Sequence, residues 1–314
     1  MDRRHKPSNI LPPGEKLPAA TVDIDEKRQT VSATLPNGDT VEVLLYGATV
    51  TSWKNGGGKT ENVWVSEKAI WDGSKPVRGG IPIVFPNFGP PIKDHATSAL
   101  PQHGFARNVR WEFLGSEKSE SGTSSVKLDF GLYSSALPAK FREAWPLDFG
   151  LVYSVTLSEE GLRTIMTVRN EGSSAFEFQF LLHTYLRVND ISQTTINGLG
   201  SETYIDKVLN ATKHEQTTPS LSITGEVDRA YIGVKQDTTS VLEGGSPRFD
   251  VIRDNLSDTV VWNPWIEKAK GMGDFAPQDG YKNMLCVEVG AIDGWQKLEG
   301  GDAWEGGQLI KSLL

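Results

Sequence analysis

The chain has 314 residues, of which 38% are hydrophobic and 23% charged, and its formal net charge is −8. This composition is typical of a globular protein and excludes disordered, collagen-like and coiled-coil chains. The acidic balance also argues against general binding to nucleic acid or anionic membranes, which needs a broad basic surface, so an anionic ligand would require a locally cationic pocket.

Turn residues divide the chain into many short segments, with 32 glycines and 17 prolines in total. The segments between them are rich in β-branched and aromatic residues, which is typical of strands. They are residues 40–45, 48–53, 62–66, 109–114, 125–130, 151–157, 162–169, 176–187, 248–253, 259–262 and 284–289. Candidate linkers at 115–124 and 243–247 have only the length of hairpin loops. The sequence therefore predicts an all-β fold, one large antiparallel β-sandwich over residues 21–314, after a mobile tail at residues 1–20.

Cellular context is indicated by what the sequence does not contain. Cys286 is the one cysteine, so an internal disulfide is excluded and a reducing compartment fits best. No apolar run reaches the length of a signal peptide or the roughly 18 residues of a membrane span. The five histidines show no metal-type pairing. We expect a cytoplasmic monomer with no metal site and with neither nucleic acid nor membrane as a partner.

The segment 176–187 alternates between large apolar and polar side chains, as expected of a strand that is buried on one face. The apolar face carries Phe176, Phe178, Phe180, Leu182 and Leu186. The opposite face carries Glu177, Gln179, His183, Tyr185 and Arg187. This polar row is either a solvated sheet surface or a ligand-binding surface, and periodicity alone does not separate the two.

A second alternating segment, residues 284–290, carries one charged residue, Glu288. Leu285, Val287 and Val289 share a face opposite Met284, Cys286 and Glu288. A carboxyl group among apolar neighbours tends to have a raised pKa, which suits proton transfer near neutral pH. The alternative is an exposed or ion-paired glutamate.

Two loops rich in glycine and proline offer arginines. Residues 76–89 contain Arg78 beside two glycines, and residues 100–108 contain Gln102 and Arg107. A guanidinium group beside backbone that a ligand can approach closely suits phosphate binding. Each arginine alone is equally consistent with an ordinary surface loop.

Taken together, these segments resemble the hexose-6-phosphate mutarotases, also called glucose-6-phosphate 1-epimerases, a branch of the aldose 1-epimerase family. The resemblance covers nearly the whole chain after the tail. In chain order, the matching motifs are PVRGGIPIVFPNFG, LPQHGFARN, LLHTYLRV, DTVVWNPWIEKAKGMGDF and CVEVG. One departure is Val289, which stands where the family usually has proline. The resemblance implies a β-sandwich of the galactose-mutarotase type.

The resemblance also implies roles for individual residues. His183 of LLHTYL matches the general acid of the family, and Glu288 of CVEVG matches the general base. Arg78, Gln102 and Arg107 match the residues that hold the sugar and its phosphate, and Asp228 matches a sugar-binding aspartate. The expected reaction interconverts the α and β anomers of a hexose 6-phosphate by ring opening, rotation and closure, and it needs no cofactor.

Two other functions remain open at this point. The protein could be an aldose 1-epimerase for unphosphorylated sugars, with the same acid and base in a pocket that recognises hydroxyl groups. It could also be a non-catalytic sandwich that binds a sugar phosphate, in which His183 and Glu288 only form hydrogen bonds to the ligand.

Overall fold

A computed structural model describes residues 19–119 and 124–313, and antiparallel strands dominate this part of the chain. The strands, in chain order, are β1 (Thr21–Asp25), β2 (Thr30–Thr34), β3 (Thr40–Leu44), β4 (Thr49–Asn55), β5 (Thr60–Glu61), β6 (Ile83–Val84), β7 (Glu112–Lys118), β8 (Ser125–Tyr133), β9 (Phe149–Ser158), β10 (Gly161–Asn170), β11 (Phe176–Leu182), β12 (Tyr185–Arg187), β13 (Thr194–Asn197), β14 (Thr203–Asp206), β15 (Thr212–Glu215), β16 (Ser220–Ser222), β17 (Val227–Tyr231), β18 (Thr238–Glu243), β19 (Ser246–Asp254), β20 (Asp258–Asn263), β21 (Met284–Leu298) and β22 (Ala303–Ser312). The helices are α1 (Ala139–Ala144), α2 (Trp265–Gly271) and 3-10 turns at Ala106–Asn108, Ser134–Ala136, Ile191–Gln193 and Gly280–Asn283. None of these helices is both long enough and apolar enough to cross a membrane.

The strands form three antiparallel sheets. A five-stranded sheet has the order β1-β2-β3-β4-β5, and a nine-stranded sheet has the order β16-β13-β18-β19-β22-β10-β9-β8-β7. An eight-stranded sheet has the order β15-β14-β17-β20-β21-β11-β6, with β12 paired to β21. All three contribute to one main hydrophobic core. Phe178 of the eight-stranded sheet lies with its ring centre 5.3 Å from that of Trp304 in the nine-stranded sheet, so these two sheets pack face to face.

The two faces predicted for the key strands are confirmed. The apolar row of residues 176–187 and the row of Leu285, Val287 and Val289 belong to the main core. Met284 and Cys286 point the other way, into a smaller cluster that also holds Tyr185, Trp262 and Phe275. The predicted antiparallel β-sandwich is therefore confirmed. The eight-stranded sheet is buried by apolar residues on both faces, and its second face borders the candidate site.

Several local predictions differ from the structure in detail. Residues 176–187 form two strands instead of one, because the chain leaves the ladder at His183 and Thr184. Residues 62–66 contribute only isolated bridges at Val63 and Val65. The segment 243–247, by contrast, contains the turn of the β18–β19 hairpin, as its hairpin-loop length predicts. Of the predicted tail, residues 1–18 lie outside the described part of the chain, whereas Ala20 is buried in the main core.

Candidate active site

A cavity of about 760 Å³ lies on the second face of the eight-stranded sheet. All six residues that the sequence singles out contribute to its walls. They are Arg78, Gln102, Arg107, His183, Asp228 and Glu288. This volume falls within the usual range of pockets for small molecules, about 300–1,000 Å³.

Strand register explains why residues far apart in sequence meet in this cavity. Cys286 of β21 pairs with Tyr185 of β12 on one side and with Trp262 of β20 on the other, and Trp262 pairs with Asp228 of β17. Paired residues share a face of a sheet, so they form one row across four strands. Glu288 lies two residues after Cys286 and therefore points to the same side.

His183 and Glu288 lie side by side in the cavity wall. Nδ1 of His183 lies 3.4 Å from Oε1 of Glu288, and the two side chains are 12% and 3% exposed. The imidazole stacks on the ring of Tyr185 with 4.7 Å between ring centres and 10° between ring planes. The edge of Trp262 meets it from another side. The imidazole is thus held by packing, while Nδ1 has no partner of good hydrogen-bond geometry among the described residues.

Burial sets the protonation state of this pair. It lowers the pKa of His183 well below its usual value, and neighbouring basic side chains lower it further. Those side chains are His103, where it is protonated, and Arg107, Arg78 and Lys207. Burial also raises the pKa of Glu288 well above its usual value. Without a ligand, the pair therefore favours one shared proton on the carboxyl group and a neutral imidazole, although a carboxylate alone would favour the imidazolium.

Arg78 precedes two positions whose backbone conformation requires glycine. Gly79 and Gly80 follow it with φ of 121° and 68°. A Cβ at Gly79 would lie 2.4 Å from the adjacent backbone. The Nε and Nη2 groups of Arg78 donate to the two carboxylate oxygens of Asp274 at 3.3 and 3.2 Å, and Nη1 donates to the hydroxyl of Tyr185 at 3.4 Å. This loop therefore fixes a guanidinium group at the cavity wall.

Arg107 has spare hydrogen-bonding capacity. It lies in the 3-10 turn Ala106–Asn108, and its Nη2 donates to the carbonyl oxygen of Gln102 at 3.2 Å. Its Nε is buried and has no hydrogen-bond partner among the described residues. Burial lowers the pKa of Arg107 to about 10. Leaving a guanidinium donor unpaired is costly, and the guanidinium group as a whole lines the cavity, where an anion would offset its charge.

Lys207 is a site residue that the sequence does not reveal. It follows β14, and its Nζ lies 3.5 Å from Oδ1 of Asp228 and 4.0 Å from the centre of the Phe88 ring. Burial raises the pKa of Asp228, whereas Lys207 opposes this shift. A lone lysine in a polar segment gives no sequence signal, because only the pairing of β14 with β17 places it beside Asp228.

The cavity is locally cationic in a chain of net negative charge. The cationic side chains that line it are Lys75, Arg78, Arg107, Lys207 and Lys268. The acidic side chains that line it are Asp228, Asp274 and Glu288. Cationic side chains therefore outnumber acidic ones in the cavity. An acidic protein needs such a local excess of positive charge to bind an anionic ligand.

Comparison with known proteins identifies the family. The aldose 1-epimerase family model matches residues 29–311. The chain belongs to the aldose 1-epimerase family. A Cenchrus ciliaris protein provisionally named glucose-6-phosphate 1-epimerase is 35% identical over 268 residues, which are 84% of this chain and 79% of that protein. The implied class of enzyme, an isomerase, is confirmed.

Solved structures agree with this assignment. The protein YeaD from Salmonella typhimurium, provisionally named a mutarotase, has a TM-score of 0.77 at 26% identity, with 95% of each chain covered. A galactose mutarotase related enzyme from Lactobacillus acidophilus has a TM-score of 0.67 at 15% identity, with 90% of this chain and 96% of that chain covered. The second likeness concerns the fold alone. The galactose-mutarotase type of sandwich is confirmed.

His103 adds a second buried imidazole to the cavity wall of this epimerase fold. Its Nδ1 accepts a hydrogen bond from the backbone N–H of Gly89 at 3.2 Å, so the proton of the neutral ring is on Nε2. Burial lowers the pKa of His103 to about 2, and the nearby cations add to this effect. His103 is therefore neutral in the folded protein and matches none of the proton-transfer roles.

We expect His103 to make the protein less stable in acid. The unfolded chain takes up a proton here below about pH 6.5 and the folded chain does not, so the free energy of unfolding falls as the pH falls. In His103→Asn, the amide oxygen can replace Nδ1 as acceptor, and asparagine tolerates the φ of 66° found at this position. The free energy of unfolding is measured with denaturant between pH 7 and 4. Its slope against pH should be smaller in His103→Asn than in the wild type, by up to about 1.4 kcal/mol per pH unit. An unchanged slope, or an equal change in His214→Asn, would contradict this.

Three side chains with metal-binding donor atoms also come together here: His183 and Glu288 line the cavity, and Cys286 is buried on the same face of β21 as Glu288. One ring nitrogen of His183, Sγ of Cys286 and a carboxylate oxygen of Glu288 lie within 4.8 Å of one another. The sequence predicts no metal site because these residues follow no ligand-spacing motif, and only the β12–β21 register brings the three together.

Proposed function

We propose that this protein is a glucose-6-phosphate 1-epimerase that interconverts the α and β anomers of hexose 6-phosphates. The observation that carries this substrate class is the guanidinium group of Arg107, which lines the same cavity as the His183–Glu288 pair. A free sugar offers no anion to this guanidinium group, whereas a 6-phosphate does. The name of the Cenchrus ciliaris relative agrees with the proposal.

In the proposed reaction, one proton moves in each direction during ring opening. The Glu288 carboxylate removes the proton of the anomeric hydroxyl while the His183 imidazolium donates one to the ring oxygen, and the bond between C1 and the ring oxygen breaks. The aldehyde rotates about the C1–C2 bond, and closure on the other face reverses both transfers. Positioned acids and bases typically contribute about 10²- to 10⁴-fold each, so the pair needs no covalent intermediate.

Two protonation states of the pair carry the same single proton. In the proposed reaction, the pair is an imidazolium and a carboxylate when the sugar ring is closed. It is a neutral imidazole and a carboxylic acid when the sugar is the open aldehyde. Burial favours the neutral state when no ligand is bound, and the cations of the cavity lower the pKa of His183 further. A dianionic phosphate on Arg78 and Arg107 would offset the charges that lower the pKa of His183, so substrate binding itself favours the imidazolium that ring opening requires.

The ionisation of His183 offers a direct test of this coupling. In nuclear magnetic resonance titrations, we expect His183 to stay neutral through the ordinary histidine range in the free protein. Addition of 1,5-anhydroglucitol 6-phosphate, which has no anomeric hydroxyl to react, should raise its pKa. Unphosphorylated 1,5-anhydroglucitol at saturation is the matched control and should raise it less. Equal shifts with both ligands, or a free protein whose His183 titrates near pH 6.5, would contradict the coupling.

Polarimetry on the wild-type protein separates the candidate functions. Fresh α-glucose 6-phosphate should reach anomeric equilibrium faster with the enzyme, and kcat/KM should exceed that for α-glucose. A preference for glucose would indicate an aldose 1-epimerase for free sugars. If the protein binds the sugar phosphate but anomeric equilibration proceeds only at its spontaneous rate, the protein is a non-catalytic binding protein. The cytoplasmic location, the monomeric state and the lack of nucleic-acid and membrane partners stay predictions from the sequence.

A further inference from the structure

Cys286 lies beside the proposed acid and base but has no part in the proposed reaction. Its thiol is buried on the cavity side of β21, in the row that includes Tyr185 and Trp262. Three donors of different chemistry, a thiol sulfur, an imidazole nitrogen and a carboxylate oxygen, thus meet within 4.8 Å. Such a mixed set matches the ligands that Zn²⁺ prefers in proteins.

We propose that His183, Cys286 and Glu288 form a binding site for one thiophilic divalent cation, Zn²⁺ above all, which blocks the active site when occupied. Metal–ligand distances of about 2.0–2.3 Å in a tetrahedral site place neighbouring donors about 3.3–3.6 Å apart. Nδ1 of His183 and Oε1 of Glu288 already lie 3.4 Å apart. Sγ of Cys286 lies within 4.8 Å of a ring nitrogen of His183 and a carboxylate oxygen of Glu288. It therefore has to approach them by no more than about 1.5 Å to reach tetrahedral spacing, and rotation about its single side-chain torsion would move it.

The state of the three ligands also suits metal binding. Nδ1 of His183 has no hydrogen-bond partner among the described residues, and in the tautomer with the proton on Nε2 it offers a lone pair. A bound dication would take the place of the shared proton of the pair and of the thiol proton of Cys286, so up to two protons leave per ion. Affinity should therefore rise with pH. The fourth position of a tetrahedral ion would be open to water in the cavity.

Occupancy would stop the proposed reaction, since the ion takes the lone pair of His183 and the carboxylate of Glu288. This consequence rests on the proposed function, whereas binding itself rests only on the positions of the three donors. The two can therefore be tested separately.

Co²⁺ is a suitable probe for binding because its thiolate complexes absorb in the near ultraviolet. Since Cys286 is the one cysteine of the chain, any thiolate-to-cobalt absorption reports this residue. We expect the untagged wild-type protein to gain this absorption up to one equivalent of Co²⁺ and to lose it when Zn²⁺ is added. Folded Cys286→Ser protein, checked by circular dichroism, should not show it. A wild-type protein without the absorption overturns the proposal, whether or not the variant folds.

Two further variants separate the site from incidental metal binding. His183→Asn keeps the thiol but loses one ligand, so its apparent affinity for Co²⁺ should fall by at least about tenfold. His95→Asn alters a second contact between a histidine and a carboxylate, with Glu177, and should leave the absorption unchanged. Equal effects of both variants would overturn the assignment of His183 as a ligand.

Inhibition is measured in the mutarotation assay with glucose 6-phosphate. Zn²⁺ should lower the wild-type rate reversibly, with recovery on addition of a chelator. The concentration for half inhibition, relative to the metal-free rate of each protein, should be at least about tenfold higher for Cys286→Ser. Equal sensitivity of the two proteins would overturn a role of Cys286 in inhibition. If the protein has no mutarotase activity, the Co²⁺ titration alone decides the metal site.

Discussion

Replacement of Glu288 by glutamine is expected to lower kcat for mutarotation of α-glucose 6-phosphate by about 10²- to 10⁴-fold, with a much smaller change in KM. Glutamine preserves the shape of the side chain but cannot take up the proton of the anomeric hydroxyl. His183→Asn should have an effect of the same order, because asparagine cannot donate to the ring oxygen. Polarimetry under saturating substrate measures both.

The matched controls for these variants lie outside the cavity. Glu177→Gln changes an exposed carboxylate on β11, and His214→Asn changes a histidine on β15 that stacks on Tyr204. Both controls should keep kcat within about threefold of the wild type. If Glu288→Gln were as active as Glu177→Gln, the assignment of Glu288 as the general base would be wrong.

Stability gives an internal check that Glu288→Gln loses chemistry and not structure. Because burial raises the pKa of Glu288, the folded state binds its proton more tightly than the unfolded state does. The contribution of Glu288 to stability is therefore lost as the pH rises through its folded-state pKa. Glutamine removes this cost, so the free energy of unfolding of Glu288→Gln should match or exceed that of the wild type at pH 8.

Alternation of side chains is the part of this fold that the sequence predicts best. In residues 176–187 and 284–290, it correctly separates the face in the main core from the face that borders the cavity. Alternation cannot show which polar residues of the second face meet a ligand. Of the row that begins at Glu177, only His183 and Tyr185 line the cavity, whereas Gln179 is buried against backbone groups of Phe88, Ile292 and Gly294.

Within the sequence, only the resemblance to a family assigns the distant site residues to one common site. His183 and Glu288 are joined through the register of β12 with β21, a long-range pairing that no local pattern encodes. Lys207 and Cys286 show the limit of both local sequence patterns and the family resemblance. Lys207 belongs to a polar segment with no motif, and the importance of Cys286 becomes visible only from its distance to two other donors.

Replacement of Arg78 by alanine is expected to reduce kcat/KM for glucose 6-phosphate much more than kcat/KM for glucose. A hydrogen bond to a charged group typically contributes about 1.5–3 kcal/mol, which corresponds to a loss of roughly 10- to 150-fold for the phosphorylated substrate. Turnover of glucose should stay within about threefold. Arg107→Ala should show the same selectivity, since a guanidinium group forms charge-assisted hydrogen bonds with a phosphate that a neutral sugar cannot form.

The structure supplies a control for the loss of a positive charge. Arg163 lies on β10 in the nine-stranded sheet, far from the cavity wall in the topology, and its ion-pair partner is Asp254 at 3.6 Å. Arg163→Ala should leave the ratio of kcat/KM for glucose 6-phosphate to kcat/KM for glucose unchanged. Arg78 differs because its removal also frees the carboxylate of Asp274, whose negative charge would repel a phosphate in the same cavity. Equal losses on both substrates in Arg78→Ala would show that this arginine supports the site as a whole and does not select the phosphate.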